Sequence, residues 1–519
     1  MAYLSDMVAE QAASQPDAEA VVFEETRLSY GRLNERVNRL ANGLQSLGLR
    51  RGSHVALVLE NCHQYLEAYY ALSKAGMVAV PLNWRLSDEE LGYIVDHSES
   101  LALIADQAHS QTALLLRDRI ERLERLIGVG VSDSTGMTPY EEMLAAASPA
   151  EPSREGLDED GLAVLMYTGG TTGLPKGVML SHRNLLTAVQ AIAGIGMQAS
   201  GARTLFALPL FHIANWQAFL FHALGGCVII SRRADPQRIV ELLLREKPML
   251  VNLVPTVYES LLALPGIEDL DFSFVGRFTV SGAPMSAESM RRCEKTFGMR
   301  FGKGYGLTEA APAVSSLNPD DYALEGDPKL VAHAQSVGKP LGNVEVRICR
   351  DDGSECRTRE EGEITVRGDN VMLGYWRDPE RSREALREGW LWTGDLGFLD
   401  EEGFLFLTDR KGDMIISGGE NVHPTETENA LQEHPAVREV AVIGLPDPKW
   451  GEVVKAVVAL EPGRAASDEE LIAFCRERIA AYKCPRSIDF VDELPKSTVG
   501  KILRKDVKKW YSDDQARGD

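Results

Sequence analysis

An apolar run, LAVLMYT over residues 162–168, passes straight into Gly169-Gly170-Thr171-Thr172-Gly173 and then Leu-Pro-Lys176-Gly177. A continuous apolar run bounded by glycines reads as a buried strand, and a buried strand needs helices to cover its sheet. The loop behind it is specialised. Gly169, Gly170 and Gly173 let the backbone come close to a ligand. Thr168, Thr171 and Thr172 add hydroxyl donors, and Lys176 adds positive charge. Such a loop suits the β- and γ-phosphates of ATP. The P-loop pattern of NTPases is excluded: it opens a helix with Gly-Lys-Ser/Thr, whereas here Pro175 precedes Lys176 and Gly177 follows it.

The rest of the first 240 residues supplies the cover. Ser29 is placed to cap a helix whose stripe is Leu33, Val37, Leu40, Leu44 and Leu47, with Gly48 as its stop. HVALVL (54–59) reads as a buried strand, a helix follows through Tyr65–Ala75, and MVAVPL (77–82) is a further short strand. This alternation predicts α/β sheets covered by helices. From about residue 335 the texture changes to short strands and turns, VEVRI, GEITVRG and GFLFLTDR, which predict a β-rich lobe closing the large domain. A small α+β unit begins just after Arg410. It holds AVREVAVIGL, VVKAVVAL and a helix over Asp468–Ala481, and its last residues, SDDQARGD, read as a frayed polar tail.

A length of 519 residues itself calls for more than one domain. The formal net charge of -22 argues against nucleic acid and anionic membranes as partners, while leaving room for a local basic pocket. Seven scattered cysteines without a CxxC pair read as free thiols of a reducing cytosol. The start, MAYLSDMVAEQAA, carries Asp6 and Glu10 and no basic region, so it is not a signal peptide and a cytoplasmic location is expected. Residues Thr204–Ser231 lack Asp, Glu, Lys and Arg, but Pro209, Asn215, Gln217, Gly225 and Gly226 interrupt them. Strand (LFAL), helix (HIANWQAFLFHAL) and strand (CVIIS) fit better than a membrane span.

YTGGTTGLPKGV closely matches the phosphate-loop signature of the adenylate-forming superfamily. The chain resembles that superfamily, which comprises acyl- and aryl-CoA synthetases, adenylation domains of peptide synthetases and beetle luciferases. Further motifs follow in the family's order across residues 167–504. In PLFH, His212 read alone is a satisfied histidine at a helix start; the resemblance puts it at an acyl pocket, and does not extend this to His222. Ser281-Gly282-Ala283-Pro284 and Gly304-Tyr305-Gly306-Leu-Thr308-Glu309 come next. A glycine-flanked Tyr305 can lie flat on an adenine face, and Thr308 and Glu309 offer oxygen ligands. The resemblance implies that Glu309 is the Mg²⁺-associated carboxylate and that Thr308 contacts the α-phosphate. Asp395, in WTGD, can accept both ribose hydroxyl protons; by resemblance Arg410 reaches the ribose from the other side. Near the C-terminus, Lys501 in PKSTVGK matches the family's catalytic lysine, with Lys496 as the competing candidate.

The resemblance implies a reaction in two halves. An acid is joined to AMP with loss of pyrophosphate, and coenzyme A then takes the acyl group. A large domain over 1–409, a hinge at 410–412 and a small domain over 413–519 are expected, the small domain rotating between the halves. One pose brings in Lys501; the other brings Ser417-Gly418-Gly419-Glu420 to the pantetheine tunnel. The family usually has Asp or Lys two residues after the ribose arginine, where this chain has Gly412. Glycine absorbs a backbone change but offers no side chain to hold the thioester-forming pose. Pocket candidates are His212, Trp216, Ser281, Gly282, Gly304 and Ala310, which suit a fatty, arylpropenoic or polycyclic acid. Competing readings are a loader of carrier-protein phosphopantetheine, an enzyme that stops at the acyl-adenylate, a luciferase-type oxygenase and a non-catalytic binding protein. The assembly is left open, with a homodimer among the options.

Overall fold

A computed structural model describes residues 1–132, 135–168, 175–195, 201–283, 285, 287–417, 420–447, 450–497 and 501–515. The helix Tyr30–Ser46 forms as its sequence dictates. The Ser29 hydroxyl accepts the Arg32 amide at 3.3 Å, Leu33, Val37, Leu40 and Leu44 are fully buried, and Gly48 closes the end at φ 90°. It covers one of two sheets that make up the large domain.

Among the described residues the first sheet has eight strands. Their order is Gly374–Tyr375, Lys176–Ser181, Leu162–Thr168, Val78–Pro81, His54–Val58, Ala102–Asp106, Arg125–Val129 and Thr138–Pro139. From Leu162–Thr168 onward the pairing is parallel. Leu162–Thr168 and Lys176–Ser181 instead pair antiparallel, with Thr168 opposite Lys176. The second sheet has nine strands, with Gly302–Tyr305, Arg277–Val280, Leu250–Leu253, Arg203–Phe206, Cys227–Ile230 and Glu19–Phe23 parallel at its centre. The helix His63–Ala75 is buried almost throughout and belongs to the core that both sheets share. Within that core, Tyr70 Oη meets His222 Nδ1 at 2.6 Å, and His222 Nε2 meets the Ala20 carbonyl at 3.0 Å. His222 is thus a satisfied core histidine.

The segment 204–231 divides as strand, helix and strand, but the expected helix is split. A 3₁₀ turn over Ile213–Asn215, capped by His212, precedes the α-helix Trp216–Ala223. No helix of the described residues is long and apolar enough to cross a membrane.

The β-rich lobe is an antiparallel sheet of Glu345–Cys349, Gly362–Arg367, Leu386–Arg387, Trp390–Leu399 and Leu405–Arg410. Its last strand ends at Arg410, and the next strand, Ile415–Ser417, belongs to a separate sheet. That sheet, built on the long pair Val437–Asp447 and Gly451–Leu460, forms the smaller C-terminal domain with three helices. Two helix ends differ from expectation. The helix at Asp468 stops at Arg476, because the Arg478 and Ile479 amides both close on the Cys475 carbonyl at 3.0 Å. The final helix, Arg504–Gln515, runs into the expected polar tail, pinned by buried Val507 and by Tyr511 Oη donating to Asp489 at 2.7 Å.

His423 of the small domain pairs with Glu361 of the β-rich lobe, Nε2 to Oε1 3.2 Å. The hydrogen bond to Glu361 holds the His423 pKa above its ordinary value and the Glu361 pKa below its own, against the burial of both. A histidine raised this way contributes its full docking energy below its ordinary value of about 6.5, and that energy is lost as pH rises through the raised one. Hydrogen-exchange protection in residues 423–432, taken relative to the base-catalysed intrinsic rate, should therefore fall from mildly acidic to alkaline pH. His423→Gln should flatten that profile; an unchanged profile would remove the pair from docking.

Candidate active site

The antiparallel pairing of Trp390–Leu399 with Leu405–Arg410 sets Asp395 directly opposite Arg410. Arg410 Nε donates to Asp395 Oδ1 at 2.8 Å, and Tyr305 Oη, from the second sheet, donates to Oδ2 at 2.7 Å. The Asp395 amide is fixed by Thr393 Oγ1 at 3.1 Å, and that hydroxyl donates to the Ile364 carbonyl at 2.8 Å. Burial, then the Asp395 charge, pushes the Tyr305 phenol well above its usual pKa, so it remains a donor. Asp395 in turn raises Arg410. A carboxylate has about four acceptor sites. Two are engaged here, which leaves capacity for a diol such as a ribose. Asp395, Arg410 and Tyr305, named from sequence, are therefore brought together.

The second centre joins that antiparallel strand pair to the YGLTE segment. Thr168 pairs with Lys176 at the base of the loop. Lys176 Nζ lies over the Tyr375 ring, 5.1 Å from its centroid, and Tyr375 Oη donates to Glu309 Oε1 at 2.9 Å. Glu309 sits in the 3₁₀ turn Thr308–Ala310, where Thr308 is buried. Asn370 holds that turn, donating from Nδ2 to the carbonyls of Ala310 at 2.9 Å and Ala313 at 2.7 Å. Gly306 passes so close that an added Cβ would lie 1.3 Å from the Pro312 carbonyl oxygen. No side chain is tolerated there. Tyr375 and Asn370 were missed from sequence. They lie in NVMLGYW, which reads as an ordinary apolar strand end.

Among the described residues no group of three or more His, Cys, Asp or Glu could hold a metal ion. Glu309 offers a carboxylate, joined to Lys176 through Tyr375. Magnesium takes one or two carboxylates and completes its shell with phosphate oxygens and water, so this donor set fits it.

His212 caps its 3₁₀ turn, with Nδ1 accepting the Ala214 amide at 3.3 Å. Burial pushes its pKa down to about 4, so the ring is neutral at pH 7. Trp216 follows at the helix start, half-buried against the core. Ser281 Oγ donates to Asn252 Oδ1 at 3.0 Å; Gly282 and Gly304 are exposed, and Ala283 is half-buried. Ala310 is fully buried. Gly169, Gly170, Thr171, Thr172, Gly173, Pro284, Gly418 and Gly419 lie outside the described residues.

A hairpin turn carries Lys501. Ser497 N donates to the Lys501 carbonyl at 2.6 Å, Lys501 N donates to Ser497 Oγ at 3.1 Å, and Leu503 N donates to the Pro495 carbonyl at 2.8 Å. Lys501 is exposed at its surface yet has protein crowded around it. That crowding, with repulsion from Arg410, lowers its pKa, and Asp395 opposes the fall. Lys496 points its charge elsewhere, to Glu439 at 2.6 Å and Glu493 at 3.6 Å. The lysine of the small domain therefore lies within electrostatic reach of the Asp395–Arg410 pair of the large domain.

Two family descriptions match the chain: AMP-binding enzyme over residues 8–376, and AMP-binding enzyme C-terminal domain over residues 426–501. A feruloyl-CoA synthase of an Amycolatopsis species is 39% identical over 505 residues, covering 96% of this chain and 97% of its own length. A long-chain-fatty-acid–CoA ligase of Bacillus subtilis is 34% identical, covering 97% and 93%. Among solved structures, ATP-bound MatB from Rhodopseudomonas palustris superposes with a TM-score of 0.88 at 30% identity, covering 98% and 99%.

Asn370→Ala leaves two carbonyls of the Glu309 turn without their donor. Each unsatisfied buried acceptor costs about 1–3 kcal/mol. Unfolding in denaturant should show a loss of about 2–4 kcal/mol, with weaker binding of AMP. A stability unchanged from wild type would mean that the turn does not depend on Asn370.

Proposed function

This chain belongs to the family of AMP-binding enzymes, and from that premise we propose that it activates an arylpropenoic acid with ATP and passes the acyl group to coenzyme A. The enzyme is an adenylate-forming acyl-CoA ligase. The observation that supports the residue roles is the Asp395–Arg410 pair with Lys501 within its electrostatic reach. The preference for an arylpropenoic acid rests on the similarity to a feruloyl-CoA synthase, which exceeds that to the fatty-acid ligase. Half-buried Trp216 beside neutral His212 suits a planar apolar acid.

Asp395 and Arg410 hold the ribose from two sides, and Tyr305 offers its ring to the adenine. Thr168, Lys176 and the Gly/Thr loop take the β- and γ-phosphates, and Thr308 the α-phosphate. Magnesium at Glu309 would neutralise phosphate charge. A carboxylate oxygen of the acid attacks the α-phosphorus, the new P–O bond forms, and the bond to the pyrophosphate oxygen breaks. Negative charge gathers on both partners, and Lys501 stabilises it where it develops. Residues 410–412 then act as the hinge between a large domain over 1–409 and a small domain over 413–519. Rotation withdraws Lys501 and brings residues 417–420 to the coenzyme A thiol. That thiol attacks the acyl carbon, and AMP leaves. A cytoplasmic location fits the use of ATP and coenzyme A.

A panel of hydroxycinnamic and C8–C16 fatty acids, supplied with ATP, Mg²⁺ and coenzyme A, tests the reading. Acid-dependent AMP and pyrophosphate should appear, with an acyl-CoA product only when coenzyme A is present, and fastest with a hydroxycinnamic acid. Faster turnover of a fatty acid would reassign the substrate class. Pyrophosphate without acyl-CoA would overturn coenzyme A as the acceptor. Lys501→Ala should cut acyl-adenylate formation by about a hundredfold or more while sparing thioester formation from preformed acyl-adenylate. Equal loss in both halves would contradict its role.

A further inference from the structure

Arg504 stands three residues beyond Lys501 and has no part in the chemistry above. It nevertheless joins four polar side chains: Asp409 at 3.0 Å, Asp413 at 3.0 Å, Glu428 at 2.6 Å and Thr425 at 2.7 Å. These partners are not equivalent. The helix Arg504–Gln515 packs on the strand Val437–Asp447 through buried Val507, so Arg504 belongs to the small domain. Thr425 and Glu428 are on the helix Pro424–Gln432 of that same domain, and Asp413 lies just past the hinge. Asp409 is on the far side. It is in the last strand of the β-rich lobe, adjacent to Arg410 and held in that sheet opposite Leu396. Its Oδ1 also accepts the Arg410 amide at 2.8 Å, and its Oδ2 accepts the Thr425 amide at 3.1 Å.

We propose that Arg504 is a positioning residue for the adenylation half-reaction: closing on Asp409, it seats the 495–503 hairpin so that Lys501 faces the nucleotide. This rests on the two-pose reading given under the proposed function. A rotation about residues 410–412 would carry Arg504 together with Thr425 and Glu428, and would part all three from Asp409. Gly412 supplies no rival contact, since a Cβ added there would meet nothing within 4 Å. Lys411, which pairs with Asp351 at 2.6 Å and Glu363 at 3.1 Å, bonds on the β-rich lobe side and not to the Lys501 hairpin. The His423–Glu361 pair also crosses the junction, at the same end of the 423–432 segment as Thr425, but it makes no bond to Arg504 or to the Lys501 hairpin. The Asp409 side chain is 1% exposed, where a charge-assisted bond is little screened. Arg504 therefore favours the pose in which its neighbour Lys501 does its work.

The test separates the two half-reactions. Arg504→Gln should slow acyl-adenylate formation by about tenfold or more, while consumption of preformed acyl-adenylate by coenzyme A stays within about twofold of wild type. Arg504→Lys should restore part of the first rate, and Asp409→Asn should reproduce the loss. Equal slowing of both halves, or an unchanged first half, would overturn the proposal. Hydrogen exchange of the ligand-free protein needs no turnover. It should rise over residues 405–413 and 501–507 in Arg504→Gln and stay constant over 162–168; no rise would likewise overturn the clamp. A wild-type protein without acid-dependent turnover would count against the functional reading, and the exchange data would still judge the clamp.

Discussion

The Asp395 carboxylate, 7% exposed, takes hydrogen bonds from groups brought by two different sheets. A buried charge is costly unless it is paired and hydrogen-bonded. Arg410 pairs it from the neighbouring strand, and Tyr305 completes it from the end of Gly302–Tyr305. The β-rich lobe and the second sheet are thus fixed against each other at the point where a nucleoside would rest. The same pair sets the field felt by Lys501: Arg410 repels the ammonium and Asp395 attracts it. One carboxylate so links the placement of the sheets, spare acceptor capacity at their meeting point and the electrostatics of Lys501.

At the phosphate end, Tyr375 separates two opposite charges. Its ring carries Lys176 on one side while its hydroxyl is spent on Glu309. A direct lysine–carboxylate pair would satisfy both groups internally. With a phenol between them, Lys176 keeps its donors for phosphate, and Glu309 keeps its second oxygen for a cation. Burial and the Glu309 charge hold that phenol protonated well beyond neutral pH. A chain of net charge -22 can therefore still present a local cationic site to a triphosphate.

The motifs legible in the sequence are those whose composition is itself unusual. The strand before the loop, the cap at Ser29 and the change to short strands in the 345–410 region follow from local pattern, whereas the antiparallel partner of that strand and the pairing of Asp395 with Arg410 on facing strands come from the structure. Asn370 and Tyr375 were invisible because their roles are made by distance: each bonds a residue about sixty positions away, through a strand end with no signature of its own. The end of the helix at Arg476 was misread because the polar turn after it carries no glycine or proline, only two amides converging on one carbonyl. His222 and His212 are similar in sequence setting and differ only in partners: both ring nitrogens of His222 are occupied, whereas His212 uses Nδ1 as a cap.

An enzyme that works in two poses must keep them within a few kcal/mol of each other, or one half-reaction starves. The Arg504 cluster meets that need through the division of its partners. On rotation, Arg504 would keep Glu428 and Thr425, so its charge is never left buried without a counterion. Asp409 would keep the Arg410 amide. Only the bonds from Arg504 and the Thr425 amide to Asp409 are given up, and bonds to charged groups are worth about 1.5–3 kcal/mol each. That is enough to favour one pose and too little to lock it. A glycine at 412 adds no steric preference of its own, so any balance between two such poses would fall to ion pairs such as Arg504–Asp409 and Lys411–Glu363.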